Sequence, residues 1–142
     1  MKEKIKKLAL KRFPSFKGDV CHALKSSDVG YAGFGEAYFS LINEEQIKGG
    51  KRHSKMTLNL VVPRGMVRFV FFESRENPEF YCEVIGEDAY NRLLVPPKIW
   101  FAFQCVSKTP AVMLNVASIE HDPKEVERLE LNEVPYDWSL GC

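Results

Sequence analysis

The stretch Met56–Glu73, MTLNLVVPRGMVRFVFFE, decides the fold class. Two runs rich in β-branched, aromatic and Leu residues flank Pro63-Arg64-Gly65, a tripeptide with the turn chemistry of a hairpin. In the first run, Met56, Leu58, Leu60 and Val62 fall on one strand face, because side chains alternate sides along a strand. The same grammar repeats outward in both directions. Gly35–Leu41, Met56–Val62, Val67–Glu73, Phe80–Ile85, Leu93–Val95, Trp100–Val106 and Val112–Ala117 read as strands. Between them lie the turn signals Lys48-Gly49-Gly50, Glu76-Asn77-Pro78, Glu87-Asp88 and Thr109-Pro110. Short strands at regular spacing, with almost no helical periodicity between them, predict an antiparallel sandwich or barrel.

Two segments lie outside this pattern. Residues 1–13 place Ile5, Leu8 and Ala9 on one helical face among lysines, which predicts a short basic helix ended by Pro14. Residues 1–17 therefore read as a helix and lead-in, and 18–142 as one domain. The tail from His121 to Trp138 is charged, with a helical turn expected around Lys124–Arg128.

Composition narrows the function. The chain has 142 residues, of which 45% are hydrophobic and 27% charged, enough for one domain with a sizeable core. Twenty Lys and Arg against nineteen Asp and Glu leave a net charge of +1, which argues against a nucleic-acid partner bound through a basic field. No apolar run approaches the roughly 18 residues of a spanning helix, so no membrane partner is expected. Lys and Glu interrupt any signal-peptide core between Lys2 and Arg12, and a cytoplasmic protein is expected. The cysteines Cys21, Cys82, Cys105 and Cys142 form no CxxC pair. They read as reduced thiols, three packed as small hydrophobes and Cys142 frayed.

A polar stripe singles out one region. If Lys51 to Val61 is one strand, Lys51, His53, Lys55, Thr57 and Asn59 share a face. That face is either plainly solvated or the mouth of a pocket for an anionic, oxygen-rich ligand; periodicity leaves both open. Arg68 interrupts the apolar run Met66 to Phe72 and needs an anionic partner, either a substrate diphosphate or Glu83 or Glu36, with a structural ion pair the favoured choice. Tyr38, Asn59, Gln104 and Asn115 are pocket-donor candidates, and Trp100 and Phe101 either stack a ring or pack a core.

Several motifs in order carry a resemblance. They are Phe34–Ser40 (FGEAYFS), Ile47–His53 (IKGGKRH), Asn59–Pro63 (NLVVP) with Gly65, and Val95–Phe103 (VPPKIWFAF). His121-Asp122-Pro123 and Val134–Trp138 (VPYDW) complete the set. Residues 18–138 thereby resemble the dTDP-4-dehydrorhamnose 3,5-epimerase family and its sister sugar 3,4-ketoisomerases. The resemblance implies an all-β cupin-type jelly roll, usually a homodimer, acting on nucleotide-linked 4-keto sugars without cofactor. Its chemistry is removal of a proton beside a ketone, stabilisation of the enolate and return of the proton.

The family's Arg-Gly-x-His falls on Lys48-Gly49-Gly50-Lys51, so Lys51 stands at the usual base position. Of the sister group's Arg-Gly-x-His-x-His only the second His is kept, as His53. Phe101 occupies another His position, and the family's Tyr falls near His121. The chain stops at Cys142, before a long extension able to supply the usual partner carboxylate. The resemblance thus implies His53 as acid/base, with Lys51 and Arg52 on phosphate or enolate, and His121 as a second acid/base or else a turn residue. Lys55, Asn59, Arg68, Tyr38, Gln104 and Asn115 are its substrate-binding candidates. No metal is expected, since Lys51 and Phe101 stand where metal-binding cupins carry ligands. The alternative is a sugar-binding cupin that has lost its base.

Overall fold

The structure, a computed structural model, describes residues 3–142. Twelve strands follow one another: β1 (Lys6–Ala9), β2 (Arg12–Phe13), β3 (Val20–Cys21), β4 (Glu36–Ile42), β5 (Ile47–His53) and β6 (Leu58–Arg64). Then come β7 (Met66–Phe72), β8 (Tyr81–Gly86), β9 (Asn91–Val95), β10 (Trp100–Cys105), β11 (Ala111–Ala117) and β12 (Val126–Arg128). They form two five-stranded antiparallel sheets, ordered β1-β9-β6-β11-β4 and β12-β5-β10-β7-β8, with β2 and β3 paired apart. The quoted hairpin turns at Gly65, whose φ is 79° and where an added Cβ would come within 2.8 Å of the Ala111 Cα, leaving no room for a side chain.

Between the sheets, Leu58, Leu60 and Val62 of β6 meet Val67, Phe69 and Phe71 of β7, with Phe101 and Phe103 of β10. A second apolar layer lies outside the second sheet. There Phe72, Trp100 and Ala102 are covered by Leu129, Val134, Tyr136 and Trp138 from the C-terminal segment.

Several expectations are corrected. Residues 6–9 form a strand on β9, not a helix. Ile5 is buried in the core, and the backbone satisfies an edge of β9, which a marginal helix of one short apolar stripe cannot do. The part of that expectation on residues 1–2 lies outside the described residues. The expected turn at Lys48-Gly49-Gly50 lies within β5, as an irregularity opposite Ala102; a Cβ on Gly49 would come within 2.7 Å of the Ala102 Cα. The stripe from Lys51 to Val61 is two strands, broken between His53 and Leu58. The segment around Lys124–Arg128 enters the sheet as β12, and the one short helical turn of the tail is a 3-10 turn at Leu131–Glu133. Cys82 and Cys142 are joined in a disulfide, so Cys142 is not frayed; Cys21 and Cys105 are free.

Candidate functional site

The site residues lie on β5 and beside β12 in the second sheet, and on β4 and β11 in the first. Lys51 pairs with Phe101 of β10 and Arg128 of β12, and His53 pairs with Val126. Phe101 belongs to the interior cluster, so residues in register with it share its inward face. Arg52, between Lys51 and His53, points outward: its guanidinium lies 4.8 Å from the Trp100 ring centroid, and its Nη2 bonds Glu127 Oε1 at 2.7 Å.

His53 is 8% exposed and Glu125 4%. The His53 Nδ1 lies 2.5 Å from Glu125 Oε1. Glu125 Oε2 accepts the backbone N–H groups of Lys55 at 3.1 Å and Met56 at 3.2 Å. Burial pushes the Glu125 carboxyl up, but bonds from His53 and the two N–H groups, with attraction to His53, outweigh it and hold the group below its ordinary range. An ionised Glu125 only accepts hydrogen bonds, so Nδ1 carries the proton that faces it and Nε2 is the ring nitrogen turned away from the pair. The break after His53 that splits the expected stripe is what turns the Lys55 and Met56 N–H groups onto Glu125.

Lys51 stands beside this dyad. Burial, reinforced by Arg128 and then Lys48, lowers its pKa from the ordinary lysine value. The Lys48 Nζ donates to the Leu41 carbonyl at 2.8 Å and ties β5 to β4. On β4, Ile42 faces the interior, so Tyr38 and Glu36 do as well. Asn115 of β11 is paired with Tyr38, and its Nδ2 donates to the Tyr38 hydroxyl at 2.9 Å. The Asn115 Oδ1 is buried with no hydrogen-bond partner. Tyr38 lies four residues before the end of β4, and Lys51 four residues after the start of β5. The arrangement sets a carboxylate-oriented imidazole and two cations on the β5–β12 side, and a phenol and an amide on the β4–β11 side.

Other candidates lie elsewhere. Asn59 is on the outer face of its sheet, where its Nδ2 donates to the Gly30 carbonyl and its Oδ1 accepts from Arg92. Arg68 is also outward. Instead of an ion pair with Glu83 or Glu36, it bonds the Gln104 Oε1 at 2.6 Å, the Trp138 carbonyl at 2.7 Å and the Leu140 carbonyl. Gln104 is spent on that contact and on the Glu45 carbonyl. The Lys55 side chain is exposed, and its N–H, not its ammonium, serves the site. His121 is exposed on the loop before Glu125. Among the described residues no three His, Cys, Asp or Glu converge as a metal site. A depression lined by Glu44, Glu45, Gln104 and Lys108 lies at the other end of β10 and holds no imidazole.

Sequence reasoning missed Glu125, the carboxylate that His53 contacts. Five acids between Glu120 and Glu130 look alike in sequence; only the β12–β5 pairing selects one.

No protein-family model and no curated protein matches the chain. Solved structures do. A dTDP sugar isomerase from Desulfovibrio desulfuricans G20 is 31% identical, with a TM-score of 0.90 over 99% of this chain and 94% of that one. A sugar 3,4-ketoisomerase from Thermoanaerobacterium thermosaccharolyticum, solved with TDP, is 16% identical at a TM-score of 0.75, covering 94% of each chain. A dTDP-4-dehydrorhamnose 3,5-epimerase from Sulfolobus tokodaii is 16% identical at 0.76, over 91% of this chain and 77% of that one. With its fold and nearly its whole length shared, and close to a third of its residues identical to the first of these, the chain belongs to the dTDP-sugar isomerase and epimerase family of cupin-type proteins.

Proposed function

We propose that the protein is a metal-independent isomerase or epimerase of a nucleotide-linked 4-keto sugar, with His53 as its base. The observation that carries this is the buried His53–Glu125 pair, which leaves Nε2 as the basic nitrogen. Nε2 takes a proton from a carbon beside the ketone, and the C–H electrons pass to the carbonyl oxygen as an enolate. Lys51 and Arg128 lie on the wall where that charge is offset. The Tyr38 hydroxyl, on the facing wall, returns a proton to the opposite face for epimerisation. Return to the neighbouring carbon through an enediol gives ketoisomerisation instead. Tyr38 takes the acid role in preference to His121 because its strand position faces the interior. The unpartnered Asn115 Oδ1 suits a sugar hydroxyl. The working unit is a homodimer, as the family resemblance implies.

Lys51 at the family's base position favours the second reading, a binder without chemistry. The two part in proton NMR with dTDP-4-keto-6-deoxyglucose in deuterated water. Loss of the C3 or C5 proton signal supports the isomerase; line broadening with both signals retained supports the binder.

A further inference from the structure

Residues 22–30 cover the outer face of β9 and β6, held by the Tyr90 hydroxyl to the His22 carbonyl, the Asn59 Nδ2 to the Gly30 carbonyl and the Arg92 Nη2 to the Val29 carbonyl. Where this cover meets the end of β1, a cleft of about 120 Å³ remains, walled by Lys11, His22, Lys25, Asp28 and Arg92. Backbone bonds fix its frame: His22 N–H to the Lys11 carbonyl and Asp28 N–H to the Lys25 carbonyl, both at 3.0 Å, and Leu10 N–H to the Tyr90 carbonyl at 3.2 Å. Arg92 is 3% exposed, yet its guanidinium donates only to neutral acceptors, the Asn59 Oδ1 and the Val29 carbonyl, and its Nε has no partner. Burial pushes this group below its ordinary pKa, and attraction to Asp28 offsets that only in part. An arginine nonetheless keeps its proton inside a protein. Arg92 is therefore a buried positive charge without an ion-pair partner, an arrangement that is costly unless an anion completes it.

We propose that this cleft is a binding site for a phosphate dianion, with Arg92 as its buried wall and the Lys11 and Lys25 ammonium groups at its rim. Both lysines are exposed, and among the described residues neither ammonium has a hydrogen-bond or ion-pair partner. Asp28 is the one acid in the walls, and its Oδ2 is turned to the Lys25 backbone N–H at 2.7 Å. Three cations against that carboxylate leave the walls at +2 with His22 neutral, which a dianion balances and a simple carboxylate does not. Phosphate also takes charge-assisted bonds from guanidinium and ammonium groups at once. The volume, about four times the roughly 30 Å³ that a water occupies in the liquid, admits one tetrahedral oxyanion and little more. Bound there, the anion ties β9 to the turn after β1 and to the cover, three segments remote in sequence. The cleft lies outside the first sheet, whereas His53 and Glu125 sit on the second, so the proposal stands apart from the keto-sugar reading.

Calorimetric titration with inorganic phosphate, at mildly alkaline pH and constant ionic strength, tests this without reference to the keto sugar. The wild type is expected to bind one phosphate per chain with a Kd on the order of 1 mM. The K11Q/K25Q variant is expected to bind at least ten-fold more weakly with an unchanged circular dichroism spectrum. Sulfate is expected to compete and acetate to bind at least ten-fold more weakly than phosphate. A glucose 1-phosphate arm separates the two sources of the group: tighter binding than phosphate assigns the cleft to a sugar phosphate, equal or weaker binding to the free ion, and either supports the site. K51M, or saturation with dTDP, is expected to leave phosphate binding intact; loss in either case places the anion at the keto-sugar site and overturns the proposal. So does the absence of binding at about ten times the expected Kd, or full affinity in K11Q/K25Q. Hydrogen exchange of the wild type reads the same event at Arg92 and the cover. Phosphate is expected to slow exchange in residues 22–30, and slowing confined to β5 and β12 overturns the proposal.

Discussion

The His53 Nδ1 and the Glu125 Oε1 lie 2.5 Å apart although 72 residues separate them in sequence. β12 docks on β5 and carries Glu125 beneath the imidazole, while the turn after His53 delivers two backbone N–H groups to the other carboxylate oxygen. In the proposed function this pair supplies the base, and those contacts fix which carboxylate oxygen holds Nδ1 and which holds the backbone.

Replacing Glu125 by Gln keeps the shape but lets the amide hold the wrong His53 tautomer. The expected result is a kcat lower by about 10²-fold with KM little changed, measured by steady-state kinetics. Because the folded-state pKa of Glu125 lies below its unfolded value, the pair's contribution to stability is complete above the ordinary carboxylate range. It is lost as pH falls through the lowered folded value. Denaturant titrations of E125Q between neutral and acid pH are therefore expected to show a weaker decline than those of the wild type.

Lys51 has the opposite balance. Burial and the neighbouring cations disfavour its charged form, so the folded state binds its proton less tightly than the unfolded chain. That penalty is present at neutral pH and is relieved as pH rises through the lowered folded pKa. Lys51→Met is expected to leave the melting temperature unchanged or raised while reducing kcat/KM about 10- to 100-fold. A lower melting temperature together with unchanged kcat/KM would contradict this role.

How much of this was legible in the chain differs between fold and site. The strand pattern around Met56–Glu73 is readable because two apolar runs, buried on both faces, flank turn chemistry at Pro63-Arg64-Gly65. The Lys6–Ala9 strand is not, since its partner β9 lies far along the sequence and its own periodicity fits a helix. His53 is singled out in the sequence by its motif position. Glu125 was hidden because its burial depends wholly on tertiary pairing. Arg68 and Asn59 misled for the same reason: alternation places two residues on opposite faces but does not say which face is the interior. The tail that absorbs Arg68, and the cover that absorbs Asn59, are both remote in sequence.

Tyr38→Phe separates proton removal from proton return. The variant is expected to retain deuterium wash-in at the carbon attacked by His53 but to form inverted product about 10²-fold more slowly. Chiral analysis of the recovered sugar reads the second quantity and proton NMR the first. Equal loss of both would remove Tyr38 from the acid role.

The C-terminal segment crosses the second sheet from β12 to β8 and is fastened there by Cys82 and Cys142, which enclose 60 residues of sequence separation. Arg68 holds it on the way through the Trp138 and Leu140 carbonyls. Cys142→Ser is expected to lower unfolding free energy by about 3–4 kcal/mol, with no effect on the wild type reduced beforehand beyond the same loss. Urea midpoints with and without reductant check it.

The most direct measurement is the rate at which the C3 or C5 proton of dTDP-4-keto-6-deoxyglucose is replaced by deuterium, compared between wild type and His53→Ala. With His53 as the base, the variant slows by about 10²- to 10⁴-fold while nucleotide binding persists. Exchange by the variant within a few-fold of the wild-type rate would contradict the assignment and return the base to another residue of the site.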